Sequence, residues 1–176
     1  NQENALAAIA AVSVFGIPEE KIRKSVRTFK GLEHRCEYVA TIKGIKFIND
    51  SKSTTVDAAI KAFSVCRGKI VLIAGGRDKM ADFSVLRCHL NGNVKKIILI
   101  GEAKEKIRKA LSGFVDMLDA PSMEAAVKIA FKTAKPGDNV LLSPMCTSFD
   151  MFEDFEHRGG VFKEAVLELK KCALQE

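Results

Sequence analysis

The chain has 176 residues, 47% of them hydrophobic and 28% charged, enough apolar content for one core of ordinary size with a little chain to spare. Its net charge of +6 suits anionic partners, but one Tyr, no Trp and no basic tract interleaved with aromatics argue against a nucleic-acid stacking surface. No apolar run approaches the ~18 residues of a membrane span and no secretory leader pattern is visible, while five scattered cysteines without CxxC or Cys/His ligand spacing fit free thiols in a reducing cytoplasm.

The chain opens without Met, inside a helical pattern. Leu6, Ile9, Ala10 and Val14 recur at helical spacing, and Gly16 stops them. Pro18 opens a second helix over about 19–29, with Ile22, Val26 and Phe29 on one face. Residues 1–30 therefore read as a helical stub, the tail of an upstream domain, and 31–176 as a domain of their own.

From Gly31 the pattern changes. Tyr38–Ile42 and Ile45–Ile48 read as strands joined at Lys43-Gly44, a hairpin turn. Helix follows over about 55–63, then a buried strand at Ile70–Ala74, helix at 83–90, strand at Lys96–Ile100, helix at 104–111 and a short strand at 115–118. Ser122 opens a helix over 123–134 that closes near Pro136-Gly137. Asn139–Ser143 is the last strand, and helix runs from there to the end with a break expected at Gly159-Gly160. Continuous apolar strands alternating with helices predict an α/β fold: a Rossmann-like, mostly parallel sheet with helices on both faces, preceded by the hairpin and the helical stub.

Ligands of such sheets bind outside the carboxyl ends of the strands. Three polar loops fall there: 49–54, 75–79 and 144–148. Each is expected to lead into a helix N-terminus, whose free N–H groups favour anions. Lys52 and Lys79 add point charges, and Thr54 and Ser148 offer hydroxyls to a carboxylate or phosphate. Neither G-x-G-x-x-G nor G-x-x-x-x-G-K-[ST] occurs, so the chain carries no phosphate loop of its own. Every member also has a plainer reading. Thr54 with Asp57 makes a capping pair, Asp50 a turn, Ser148 an N-cap, Arg35 a surface ion pair, His34 a structural histidine, and Phe149, Phe152 and Phe155 core residues at helical spacing. The combination is harder to dismiss than any one member.

Four segments together carry a specific resemblance. They are Gly31-Leu-x-His34-Arg35-x-Glu37, Asn49-Asp50-Ser51-Lys52-x-Thr54, Gly75-Gly76-x-x-Lys79-x-x-Asp82-Phe83, and Leu142-Ser143-Pro144-x-Cys146-x-Ser148-x-Asp150-x-Phe152-x-x-Phe155-x-x-Arg158-Gly159-x-x-Phe162. In order and spacing they resemble the C-terminal part of a Mur ligase. The opening Asn1-x-x-Asn4-Ala-Leu-Ala resembles the end of that family's central ATP-binding domain.

The resemblance implies a chemistry. ATP would phosphorylate the carboxylate of UDP-MurNAc-L-alanine, and the amine of D-glutamate would attack the acyl phosphate, in peptidoglycan precursor synthesis. It implies nucleotide contacts at Asn1, Asn4, Arg35, Asp50 and Lys52, and a D-glutamate pocket of Thr54, Lys79, Ser148, Phe149 and Phe155. His34 and Lys52 would take part in catalysis. Magnesium ligands, the phosphate loop and the UDP contacts would lie upstream, so this chain alone is expected to be an inactive, monomeric lid of a cytoplasmic enzyme, with no nucleic-acid or membrane partner. Arg77-Asp78 fill a loop where the family often has a small or acidic residue, and Cys36 stands where Phe is common. The alternatives are another Mur-type or folylpolyglutamate ligase domain, or a non-catalytic nucleotide-binding module.

Overall fold

The structure, a computed structural model, describes residues 2–90 and 92–174. The chain divides into two compact units, Asn1–Leu32 and Glu33–Glu176. In the first, α1 (Gln2–Val14) and α2 (Glu19–Thr28) are joined through Gly16, whose φ of 67° is the left-handed turn that ends α1. Leu6 and Val14, apolar at helical spacing, are exposed, because two short helices enclose no interior.

The second unit is a six-stranded sheet in the order β1-β2-β6-β3-β4-β5. Strand β1 (Glu37–Ile42) pairs antiparallel with β2 (Ile45–Asn49). Lys43 and Gly44 turn the hairpin at φ 46° and 79°, both left-handed as a two-residue turn of this kind requires. Strands β2, β6 (Asn139–Leu142), β3 (Ile70–Gly75), β4 (Val94–Ile100) and β5 (Asp116–Asp119) are mutually parallel.

Alternate side chains of the central strands feed two cores. Ile70, Leu72, Ala74, Ile97, Leu99 and Leu141 face α3 (Val56–Phe63), a 3-10 turn at Phe83–Leu86, α4 (Arg87–Leu90) and α5 (Lys104–Leu111). Val71, Ile73, Ile98, Ile100, Val140 and Leu142 face α6 (Met123–Thr133) and α7 (Phe155–Ala173). Both faces of the sheet are covered, which is why these strands read as unbroken apolar runs. The chain crosses on the first face from β2 through β5 and returns on the second to β6. The strand order therefore reverses between β3 and β6, the place at the carboxyl ends where sheets of this kind bind ligands.

Three local expectations are corrected. The cap of α3 is Thr55, which accepts from the Ala58 N–H at 3.3 Å, so Thr54 and Asp57 are not its capping pair. Asp154, not Ser148, caps α7, accepting from the His157 N–H at 2.6 Å. Helix α7 runs unbroken through Gly159-Gly160, because its packing against the rest of the domain outweighs the poor helix propensity of two glycines.

Candidate active site

Three loops leave the carboxyl ends of β2, β3 and β6, and hydrogen bonds stitch them together. The Asp50 N–H donates to Leu142 O at 2.8 Å and the Met145 N–H to Ser53 O at 2.9 Å, joining the first loop to the third. Arg77 and Thr147 exchange N–H···O bonds in both directions at 3.0 Å, joining the second to the third. Gly76 permits this crossing, and Gly75 permits the close approach of β3 to the end of β4. A Cβ on Gly75 would lie 2.0 Å from Ile100 O, and one on Gly76 2.2 Å from Thr147 O. Only the first loop leads promptly into a full helix, since the second runs to a single 3-10 turn at Phe83.

Arg158 braces the assembly from below. It is completely buried and makes no ion pair with a carboxylate among the described residues, Asp150 acting on it only at longer range. Its Nε donates to Ser51 Oγ at 3.0 Å, Nη2 to Ser51 O at 2.8 Å and Nη1 to Cys146 O at 3.1 Å. Burial pulls its pKa down to about 10. Ser51 Oγ in turn donates to Phe155 O at 2.8 Å, so one guanidinium fixes the first loop, the third loop and the start of α7. The sequence reading quoted Arg158 within a motif and gave it no role. An arginine in a strongly apolar helix face was the available signal.

The residues expected to bind ligands fall into two sets. Lys52, Lys79 and Arg35 are exposed and have no ion-pair partner among the described residues. The Lys52 ammonium stands 3.9 Å from the ring centroid of half-buried Phe155, a cation–π contact that aims it. The Lys52 N–H donates to His34 O at 3.0 Å, so the backbone seats Lys52 beside the His34-Arg35 turn. Arg35 lies in that turn ahead of β1 and forms no surface ion pair among the described residues. Thr54 is half-buried, Ser148 is buried, and Phe149, expected in the core, is 61% exposed.

The two unusual neighbours of Lys79 are occupied internally. Arg77 forms a two-pronged bond to Glu102 at 3.0 Å through both Nε and Nη2. Asp78 accepts from Lys106 at 2.5 Å and from the Ala81 N–H at 2.8 Å. Lys79 is thus left as the cation this loop can offer to a ligand.

The second set is turned inward. Asp50 Oδ1 accepts from the Cys36 N–H at 3.0 Å and Oδ2 from Ser143 Oγ at 3.2 Å, and burial raises its pKa. His34 is 7% exposed and holds φ at 59°. Its ring lies against Asn49, Gly159 and the edge of Phe155. Of the two amide candidates, Asn4 lies exposed on α1 in the first unit, and Asn1 lies outside the described residues. Burial pushes the thiols of Cys36 and Cys146 up to about 12 and that of Cys66 to about 11, so none is a poised nucleophile.

The arrangement is an α/β domain that gathers Lys52, Thr54, Lys79, Ser148 and the exposed Phe149 on three hydrogen-bonded loops at the carboxyl end of its sheet. The chain matches the family model described as Mur ligase, glutamate ligase domain, over residues 34–146. The chain belongs to this family. It is 50% identical over 175 residues to the UDP-N-acetylmuramoylalanine–D-glutamate ligase of Thermoanaerobacter sp. (strain X514), covering 97% of this chain and 38% of that protein. It is 50% identical over 167 residues to the ligase of the same name from Acidobacterium capsulatum, covering 95% of this chain and 36% of the relative. The solved structure of E. coli FolC in complex with DHPP and ADP superposes with a TM-score of 0.68 at 20% identity, over 97% of this chain and 40% of that one, which shows a shared fold. This chain thus spans little more than a third of the length of the curated relatives it matches.

The residues here do not fit a magnesium site. The one carboxylate–imidazole cluster among the described residues, Glu33, His34 and Glu37, already holds the Lys163 ammonium at 2.6 Å and 2.8 Å from its two carboxylates. Asp50 has both oxygens engaged. No helix of the described residues is long and apolar enough to cross a membrane.

Proposed function

We propose that this chain is the amino-acid-accepting lid of an ATP-dependent ligase that joins D-glutamate to UDP-MurNAc-L-alanine in peptidoglycan precursor synthesis in the cytoplasm. The observation that carries this reading is the stitching of Lys52, Thr54, Lys79 and Ser148 onto hydrogen-bonded loops at one end of the sheet. The name borne by relatives at 50% identity supports it.

D-Glutamate has two carboxylates and one amine. A pocket that holds both carboxylates aims the amine, and that positioning is a large part of the catalysis. Lys79 supplies the charge, Thr54 and Ser148 the hydroxyls, and Phe149 and Phe155 the apolar wall for the methylene chain. Arg35 and Lys52, exposed and close by through the backbone, suit the phosphates of ATP. Asp50 shapes that loop from behind. Residues 1–30 belong to the central ATP-binding domain and 31–176 form the closing domain, which works as a monomer with its own upstream domains. The metal is held by residues outside this chain.

The test joins this chain to the preceding part of the Thermoanaerobacter relative and measures phosphate release with ATP and UDP-MurNAc-L-alanine. D-Glutamate is expected to support turnover while L-glutamate, L-lysine and diaminopimelate do not. Turnover with one of the others would overturn the reading of the pocket.

A further inference from the structure

We infer that Asn49 is a positioning residue that fixes the proton of His34 on Nε2, making His34 a hydrogen-bond donor to the ligand and not a base. The inference deepens the proposed function and rests on it for the ligand's identity, but its structural half stands on this chain alone.

Asn49 is completely buried, and every polar atom of its amide is accounted for. Its Nδ2 lies 2.9 Å from His34 Nδ1, 3.1 Å from Glu37 Oε2 and 3.4 Å from Gly159 O. Its Oδ1 accepts from the Ser51 N–H at 3.2 Å. Turning the amide over would set its oxygen against a carboxylate and a carbonyl, and its NH2 against an N–H. The orientation is therefore decided by the neighbours. Since the NH2 group can only donate, His34 Nδ1 must present its lone pair, and the ring hydrogen sits on Nε2.

The ring is packed tightly in place. A Cβ on Gly159 would fall 2.2 Å from His34 Nδ1, so the imidazole lies directly on the backbone of α7. The edge of Phe155 packs on its other side, with centroids 6.2 Å apart. Nε2 lies 3.7 Å from Glu33 Oε1, beyond hydrogen-bond reach, and that oxygen is already held by Lys163 at 2.6 Å. Among the described residues the Nε2–H makes no hydrogen bond and has only the Glu33 carboxylate near it, at 3.7 Å, on a residue whose carbonyl seats Lys52. A carboxylate or phosphate oxygen is the chemistry it would recognise. Accepting a proton from the incoming ammonium would need the Nε2 lone pair, hence a hydrogen on Nδ1 facing the Asn49 NH2. The deprotonation must fall to another group.

The experiment is a two-bond 15N–1H correlation spectrum of the chain labelled at its three histidines. Loss of signals in His89→Gln and His157→Gln assigns His34, since both of those residues are exposed. The expected spectrum has a pyridine-type Nδ1 and a pyrrole-type Nε2 for His34. Asn49→Asp, which puts an acceptor where the NH2 stood, is expected to move the hydrogen to Nδ1. A pyrrole-type Nδ1, or an averaged pattern in the unsubstituted chain, overturns the inference whether or not the variant folds. Because the readout needs no turnover, failure of the D-glutamate assay would sink the function and leave this result standing.

Discussion

Lys79 is the residue on which the proposed amino-acid pocket most depends, because Arg77 and Asp78 beside it are consumed by Glu102 and Lys106. A charge-assisted hydrogen bond to a carboxylate contributes about 1.5–3 kcal/mol. Lys79→Ala is therefore expected to raise the KM for D-glutamate about ten- to a hundredfold while leaving that for ATP near its original value. An equal loss for both substrates in steady-state kinetics would remove Lys79 from the pocket. Asp50 makes a different prediction. Burial holds its pKa above the ordinary 3.8, so the folded state binds its proton more tightly than the unfolded chain does. Its contribution to stability is complete below that ordinary value and declines as pH rises through the raised one. Thermal melting of Asp50→Asn, compared with the parent from pH 3.8 upward, should lack this decline. Parallel curves would contradict it.

The elements show which parts of the fold were legible. Unbroken runs such as Ile70–Ala74 and Ile97–Ile100 announced strands covered on both faces, and Lys43-Gly44 announced the hairpin, because each signal is local. The continuity of α7 was not legible. Gly159 and Gly160 look alike in sequence, and only the structure shows that a side chain at one would strike His34 while nothing stands within 4 Å of the other. Gly160→Ala is accordingly expected to stabilise the domain by about 0.5–1 kcal/mol, the usual gain for Ala over Gly inside a helix. Gly159→Ala should destabilise it despite the same propensity gain. Urea unfolding of the two variants checks the opposite signs, and a gain at both positions would show that His34 does not lie against α7. The capping of α3 by Thr55 instead of Thr54 was a one-residue ambiguity in Ser53-Thr54-Thr55 that backbone geometry alone resolves. It matters for the site, because it leaves the Thr54 hydroxyl free for a ligand. Arg158 and Asn49 were hidden for a related reason. The partners that define them, Ser51 for Arg158 and His34 for Asn49, lie 107 and 15 residues away in sequence, so no local pattern reports them.

At the scale of the molecule, the chain spans 38% of the Thermoanaerobacter relative, and under the proposed function it would supply only its own side of each ligand site. The isolated chain is expected to fold and to bind nucleotide weakly, and calorimetry showing saturable ATP binding at micromolar strength would contradict the shared site. The most direct measurement of the central claim is phosphate release by the chimera with the Thermoanaerobacter N-terminal part, run with D-glutamate and its competitors and repeated with Lys79→Ala. The account predicts turnover with D-glutamate alone and its loss, at subsaturating D-glutamate, in the variant. Turnover with a different amino acid, or a Lys79→Ala chimera as responsive to D-glutamate as its parent, would contradict it.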